Sequence, residues 1–297
     1  MNKFFLKTQK AKNVIAIVGA TASGKTNFSI ELANEIGGEI ISADSRIIYK
    51  GFDIGAAKPT KKEQLGIPHY MIDIVEPTFE YSAGLYKKQA MTIIEDILNR
   101  GKTPIIVGGT GLYIDILLKN YELPQVEPDV ELRNKLNDLS KDELLDLINQ
   151  LDPNAVEQFK INDRKKLIRS IEIIKSTNKA LAQTRGIGHP QYNVKWIGKN
   201  HPRKILYKRI EDRVDVMIEQ GLIGETKNLL NKYGPIKNII DTIGYREIYG
   251  YLTNNYTLSE AIELLKKNTR NYAKRQLTWF RKNEEIEWDI YPEKLKK

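Results

Sequence analysis

Apolar and polar positions follow one another along this chain in two textures. Val14–Val18 is a short β-branched run ending at Gly19, as expected of a parallel strand buried on both faces. From Asn27 to Ile36 apolar residues return at helical spacing, and Gly37-Gly38 stops them. A second short strand is predicted at Ile40-Ile41, leading into Ser42-Ala43-Asp44-Ser45. A third, Pro104–Val107, ends in Gly108-Gly109-Thr110-Gly111, and Leu112–Leu118 then reads as a helix. Strand, polar loop and helix in repetition predict an α/β fold with a doubly wound parallel sheet. Ligands of such sheets lie beyond the carboxyl ends of the strands, where all three polar loops fall.

From about Leu123 to Tyr192 strand signals vanish and charged amphipathic helices take over, one of them opened by a capping box at Ser140 and Glu143. Pro124 and Pro128 mark the entry, and Gly186, Gly188 and Pro190 the exit. Val194–Gly198 then has the pattern of a strand returning to the core. The expected organisation is therefore an α/β core of residues 1–122 and 193–297 with an all-helical subdomain, 123–192, inserted into it. Arg203–Tyr233, Ile239–Leu252 and Thr257–Lys282 complete the chain as predicted helices, the last behind a Thr257/Glu260 capping box.

Composition narrows the class. A chain of 297 residues, 41% hydrophobic and 29% charged, can bury a substantial core without staples. It has no cysteine, which excludes disulfides and cysteine-ligated zinc or iron–sulfur sites. No apolar run approaches the roughly 20 residues that span a bilayer. The basic stretch Met1–Asn13 holds only Phe4–Leu6 as an apolar segment, too short for a signal peptide. A soluble, cytoplasmic protein with no membrane partner is expected. The net charge of +9 could serve solubility alone, but its distribution argues otherwise. Lys266–Lys282 carries seven Lys/Arg and no Asp/Glu, with Tyr272, Trp279 and Phe280 interleaved. A solvated face usually mixes signs, so this segment suits a nucleic acid.

The strongest chemical signal is Gly19-Ala20-Thr21-Ala22-Ser23-Gly24-Lys25-Thr26, which fills G-x-x-x-x-G-K-[ST] between a predicted strand and helix. Glycines let backbone amides curl around phosphate oxygens, and the helix N-terminus adds positive charge. Lys25 supplies a cation, and the Thr26 hydroxyl can ligate Mg²⁺. The sheet is thus P-loop NTPase-like. The motif speaks for phosphate rather than for nucleotide hydrolysis, because the strand that should end in a Mg²⁺-holding aspartate runs into Gly108-Gly109-Thr110. Asp44, past a buried strand and flanked by Ser42 and Ser45, can be a general base, or a loop aspartate. Thr110 beside exposed glycine amides can donate to an anion, or mark a tight turn. Asp53-Ile54-Gly55 with Lys58-Pro59 has the composition of a lid loop; Asp73 and Tyr81-Ser82 fit ordinary turn chemistry.

Arg164, Lys165, Lys166 and Arg169 form a basic cluster at helical spacing, which by default is a solvated face. Gly244-Tyr245-Arg246, and Lys274-Arg275-Gln276 with Thr278-Trp279, combine guanidinium, amide and ring, as single-stranded RNA recognition requires. Trp279 is equally well spaced to be a core anchor. His69, His189 and His201 are scattered without metal-ligand spacing.

Taken together these residues resemble the bacterial tRNA dimethylallyltransferases, also called tRNA isopentenyltransferases. The likeness rests on Gly19–Thr26, Ser42–Ser45 with Tyr49 and Asp53–Pro59, Gly108–Tyr113, Asn162–Glu172, Ile243–Glu247 and Lys274–Arg281, in family order over nearly the whole chain. It implies transfer of a dimethylallyl group from dimethylallyl diphosphate to N6 of adenosine 37, 3′ of the anticodon, in tRNAs reading codons that begin with U. It implies Gly19–Thr26 on the pyrophosphate, Thr26 on Mg²⁺, Asp44 as the base at N6, and Lys25, Thr110 and Arg246 assisting. Asp44, Ser45, Arg46 and Ile47 would meet tRNA, as would Lys165, Lys166 and Arg169, then Asp241, Gly244, Tyr245 and Arg246, and finally Lys274, Arg275, Gln276, Thr278, Trp279 and Arg281. The inserted helical domain would grip the anticodon stem-loop, and a monomer is expected. Ala20 stands where the family usually has proline, and Ile47 where many relatives have glutamine. The rivals are a prenyltransferase acting on free AMP, ADP or ATP, and a P-loop kinase or nucleotide-dependent RNA-binding switch. The basic helices disfavour the first; the missing strand-end aspartate disfavours the others.

Overall fold

The computed structural model describes residues 12–124, 126–159, 161, 163–184 and 186–292. The basic N-terminal stretch up to residue 11, Phe4–Leu6 included, and Asn162 lie outside them. The chain opens with β1 (Asn13–Gly19), α1 (Lys25–Ile36) and β2 (Glu39–Ser42), then β3 (His69–Tyr70), α2 (Ala83–Asn99), β4 (Pro104–Gly108) and α3 (Gly111–Leu118). The middle holds β5 (Tyr121–Glu122), α4 (Val130–Asn137), α5 (Lys141–Leu151), α6 (Ala155–Phe159), α7 (Arg164–Thr177) and β6 (Gly186–Ile187). It closes with β7 (Asn193–Lys199), α8 (Arg203–Glu219), α9 (Leu222–Tyr233), α10 (Lys237–Ile240), α11 (Tyr245–Leu252), α12 (Leu258–Phe280) and β8 (Glu287–Trp288).

One sheet, ordered β3-β2-β4-β1-β7-β8 and parallel throughout, organises the larger part of the chain. Both of its faces are covered, which is why its strands read as unbroken apolar runs. Val14, Ala16 and Val18 of β1 pack with Ile94 and Ile97 of α2, Ile114 and Leu117 of α3, and Phe280 of α12. Ile17, pointing the other way, packs with Ile30 and Ala33 of α1 and with Ile40, Ile105 and Val107. At the amino end of β2, Glu39 is 1% exposed and takes both terminal nitrogens of Arg100 at 2.6 Å, Lys102 at 2.6 Å and the Tyr70 hydroxyl at 2.8 Å. The Arg100 guanidinium, acting against the cost of burial, holds this carboxyl down to about 2, with help from Lys102 and Tyr70. The charged edge of the sheet is thus pinned opposite the edge where the polar loops emerge.

The chain divides into two compact units, Lys119–Pro190 and the remainder. The smaller unit has its own core, in which Leu136 of α4, Leu144 and Ile148 of α5 and Leu167 and Ile171 of α7 meet. It is not all-helical: Tyr121–Glu122 and Gly186–Ile187 form an antiparallel pair. Two residues per strand leave no periodicity for a sequence to display. Both expected capping boxes form, Ser140 with Glu143 and Thr257 with Glu260. Two expected helices are instead broken. Arg203–Tyr233 splits at Gly221 (φ 101°), and Ile239–Leu252 splits before Gly244 (φ 102°), left-handed conformations that glycine adopts without strain.

Candidate functional site

The loop after β1 is shaped by two glycines. A side chain on Gly19 (φ 148°) would put Cβ 2.1 Å from the Lys199 carbonyl oxygen, so only glycine lets β1 end against β7. Gly24 (φ 88°) turns the chain into α1, which begins without a side-chain cap. Its first amides, from Lys25 onward, therefore have no partner inside the helix and face an anion's place. The Lys25 amine donates to the Ala20 carbonyl at 2.5 Å. Burial lowers its pKa to about 7, Arg213 pushes in the same direction, and Asp44 opposes them. Two arginines of α8 bear on this loop. Arg209 donates to the Ala22 carbonyl at 2.9 Å, and Arg213 to the Thr21 hydroxyl at 3.4 Å. Burial, then Arg209, lower the pKa of Arg213 as well.

The loops after β2 and β4 are locked together. The Ala43 amide donates to the Val107 carbonyl at 2.7 Å, and the Thr110 amide to the Ala43 carbonyl at 3.1 Å. A Cβ on Gly108 would lie 2.1 Å from that carbonyl oxygen. Asp44 Oδ1 accepts from the Arg46 amide at 2.8 Å, and Thr110 Oγ1 accepts from the Ser45 amide at 3.1 Å, so carboxylate and hydroxyl are held side by side. Tyr272 of α12 completes the group; burial pushes its hydroxyl up to about 12, with Asp44 adding to the rise and a hydrogen bond with Thr110 opposing it.

These loops and helices enclose a cleft of about 610 Å³. Lys25, Arg46, Arg209, Arg213, Arg246 and Arg275 line it, against only two carboxylates, Asp44 and Asp241. Six cations to two anions in a partly desolvated cleft fit a polyanionic ligand. Among the described residues no three His, Asp or Glu side chains are grouped to hold a metal ion. Thr26 stands exposed at the head of α1, where a phosphate-bound cation could reach it.

The remaining expected residues part company. Ile47 is buried and lines the cleft. Arg246 is clamped by the buried Glu247, at 3.0 and 2.6 Å, and Glu247 also takes Asn268. Asp241 is exposed. Gly244 and Tyr245, expected at an RNA face, are buried instead. Gly244 makes the turn into α11, and Tyr245 lies edge-on to Phe52 and donates to Glu225 at 2.7 Å. Gln276 is likewise buried, with both ends of its amide bonded to loops. Lys274, Arg275, Thr278 and Trp279 are exposed on α12. Trp279 is both anchor and surface, 39% exposed with Nε1 donating to Asp115 at 2.9 Å. Arg281 turns back on the Leu277 carbonyl and the Thr278 hydroxyl. In the basic run, Lys266 pairs with Asp215 and Arg270 with Glu211, so only part of it faces outward.

In the smaller unit Arg169 binds Glu172 and the Val126 carbonyl, and Arg164 the Asn137 carbonyl, while Lys165 and Lys166 are exposed. The suspected lid is fastened: Lys58 bridges Asp53 and Asp73, and Glu225 takes the Ile54 and Gly55 amides at 2.8 and 3.0 Å. Ser82 caps α2. Sequence reasoning missed Arg209 and Arg213. Their signal was faint: two like charges at i, i+4, beside the buried stripe Leu206, Ile210 and Val214.

Comparison with known proteins follows the same lines. The family model described as IPP transferase matches residues 47–283, and that described as Isopentenyl transferase matches residues 12–75. A tRNA dimethylallyltransferase from Pelotomaculum thermopropionicum is 44% identical over 285 residues, covering 94% of this chain and 91% of that one. The crystal structure of the full-length tRNA isopentenylpyrophosphate transferase from Bacillus halodurans is similar with a TM-score of 0.71 at 40% identity, over 93% of this chain and 89% of that one. A eukaryotic dimethylallyltransferase acting on tRNA reaches a TM-score of 0.80 at 32% identity, over 91% of this chain and 70% of that one.

Proposed function

Since the chain belongs to the IPP transferase family, whose members include the tRNA dimethylallyltransferases, we propose how its cleft moves a dimethylallyl group from dimethylallyl diphosphate to N6 of an adenine in tRNA. One observation carries the assignment of parts: the loops after β1, β2 and β4 meet in a single cleft in which cations outnumber carboxylates. The diphosphate sits on the loop Gly19–Thr26, against Lys25, the unpaired amides of α1, and Arg213. In transfer the donor's C1–O bond breaks and its electron pair leaves with the diphosphate. The N6 lone pair forms the new C–N bond, and the N6 proton passes to Asp44. Lys25 and Arg213 stabilise charge growing on the leaving group. The Arg46 amide fixes the Asp44 carboxylate, and Thr110 lies beside it to steady the departing oxygens. Glu247 aims Arg246 into the same cleft.

Mg²⁺ fits this arrangement as a substrate-borne ion, since it keeps few protein ligands and takes the rest from phosphates and water. Thr26 would be its protein contact. When bound it adds positive charge at the diphosphate. The acceptor is taken to be adenosine 37 of the anticodon stem-loop, which must leave its stack to reach Asp44. Lys274, Arg275, Thr278 and Trp279 offer the exposed cations and ring that such RNA needs, with Lys165 and Lys166 as further contacts. A monomer suffices, because every residue assigned to the chemistry comes from one unit of one chain. A cytoplasmic location is proposed from the substrate; among the described residues no helix is long and apolar enough to cross a membrane.

The test is incubation with labelled dimethylallyl diphosphate and unmodified tRNA, followed by digestion of the RNA. Label is expected on the adenosine 3′ of the anticodon. Label on free AMP with none on tRNA would overturn the acceptor. Label on neither, with ATP hydrolysed, would overturn the transferase reading altogether.

A further inference from the structure

Gln276 lies on the inward stripe of α12 with buried Ala273 and Phe280, between exposed Lys274, Arg275, Thr278 and Trp279, and is only 5% exposed. Its amide is used at both ends. Oε1 accepts from the Thr21 amide at 2.8 Å, and Nε2 donates to the Gly109 carbonyl at 3.0 Å. Thr21 belongs to the loop after β1 and Gly109 to the loop after β4. These two strands are neighbours, but their ladder ends at the pair Val18 and Gly108. Just past that last rung, a side chain from α12 supplies the next one. A carboxamide carries an acceptor and a donor side by side, so it can accept from one loop while it donates to the other. The seat is close, for a Cβ on Gly109 would lie 2.0 Å from Nε2.

We infer that Gln276 is a positioning residue for transfer, holding the diphosphate loop and the Thr110 loop at the one spacing that lets donor and base meet. This rests on the functional reading above. The geometry demands such a device: Lys25 and Thr110 come from different strands, and beyond the strand ends the sheet no longer sets their distance. A misplacement of about 1 Å at such a centre costs on the order of 100-fold in rate. The same bond gives the Thr21 amide a partner within the protein, as the Ala20 carbonyl does for the Ser23 amide, leaving the amides from Gly24 onward for the diphosphate.

The test compares Gln276→Glu and Gln276→Leu with the wild-type enzyme in single-turnover transfer to tRNA. The glutamate variant keeps an acceptor for the Thr21 amide but, ionised, sets an oxygen against the Gly109 carbonyl. Protonated, it regains the donor. Both variants should keep the wild-type KM for tRNA within about 2-fold and lose roughly 10- to 100-fold in rate at pH 8.5. As pH falls toward 6, the rate of Gln276→Glu relative to wild type should recover as the buried carboxyl takes up a proton, while the ratio for Gln276→Leu stays flat. Should Gln276→Leu not fold, Gly109→Ala disturbs the same bond from the other side and should show the same loss. Variants that transfer as fast as wild type would overturn the inference. So would a Gln276→Glu ratio that does not change with pH, since that is what a merely structural amide would give. A wild-type enzyme that transfers nothing sinks the functional reading instead, so the two failures are distinct.

Discussion

Arg133 and Arg169 in the helical unit stand on Glu172, whereas Arg209 and Arg213 in the α/β unit stand on carbonyl and hydroxyl oxygens of the loop after β1. The first pair is matched. Burial alone would raise the Glu172 carboxyl, but Arg133, Arg169 and the Asp129 amide together bring it below the ordinary carboxylate range. The second pair is not matched. Burial and then Arg209 lower Arg213, with Glu63 opposing; burial and then Arg213 lower Lys25 beside it, with Asp44 opposing. Matched charges in a core hold a fold. Like charges gathered where water is scarce raise the energy of the empty protein, and an anionic ligand relieves that tension. On the proposed reading, one residue type thus serves architecture in one unit and the substrate in the other.

The sharpest break of this comparison is at Asp44. Asp44→Ala should slow transfer by about 10³-fold while leaving the tRNA Kd unchanged, as measured by single-turnover transfer beside a filter-binding titration. Equal loss of both would make Asp44 a structural residue. Next is Lys25→Met, which should cost roughly 10²- to 10³-fold in transfer yet leave Tm unchanged or higher, because it removes a half-buried cation repelled by Arg213. In the matched pair the pattern should invert: Glu172→Gln, which weakens charge-assisted hydrogen bonds to two partly exposed arginines, should cost about 2 kcal/mol of stability and leave the rate of the chemical step alone, read by thermal melts and transfer at low temperature. Its carboxyl is depressed in the folded state, so this stability is present above the ordinary glutamate pKa and fades as pH drops below it.

A smaller effect sharpens the comparison further. Lys25 sits near 7 in the empty cleft, far under the value in an unfolded chain. The empty protein therefore binds fewer protons than the unfolded chain from about pH 7 up to the ordinary lysine range, and its stability should rise with pH there. Diphosphate binding should reverse that and take up a fraction of a proton around pH 7 to 8. Calorimetry in two buffers of different ionisation enthalpy would register it. Arg213→Met should shift the uptake to higher pH, since one of the groups lowering Lys25 is gone.

How much of this was legible in the sequence depended on distance along the chain. The β1 loop, Asp44 and Thr110 follow strands directly, so strand pattern and loop composition were enough to bring them to one edge of the sheet. Arg209 and Arg213 were not legible, because within Lys208–Asp215 they alternate with acids and read as a solvated helix face. Only the packing of α8 against α12 turns that face toward the loop after β1. Gly244 and Tyr245 were misjudged for the converse reason. A polar neighbour, Arg246, suggested a shared surface, but a left-handed glycine redirects the helix and sends the tyrosine to Glu225 inside the core. Gln276 stands at helical spacing from buried Ala273 and Phe280, so the inward stripe of α12 was legible; its polar amide between exposed basic residues suggested the RNA face instead.

Trp279 has a practical consequence. Of the three tryptophans, Trp196 is buried and Trp288 partly so within the sheet core, while Trp279 is exposed and tethered by its indole nitrogen to Asp115. Its ring is therefore held in one orientation at the surface, packed on Gly111 of the helix that follows Thr110. The protein carries its own optical probe. A quench or spectral shift on mixing with RNA can be assigned to one indole, and it reports occupancy within a few residues of the cleft without any added label.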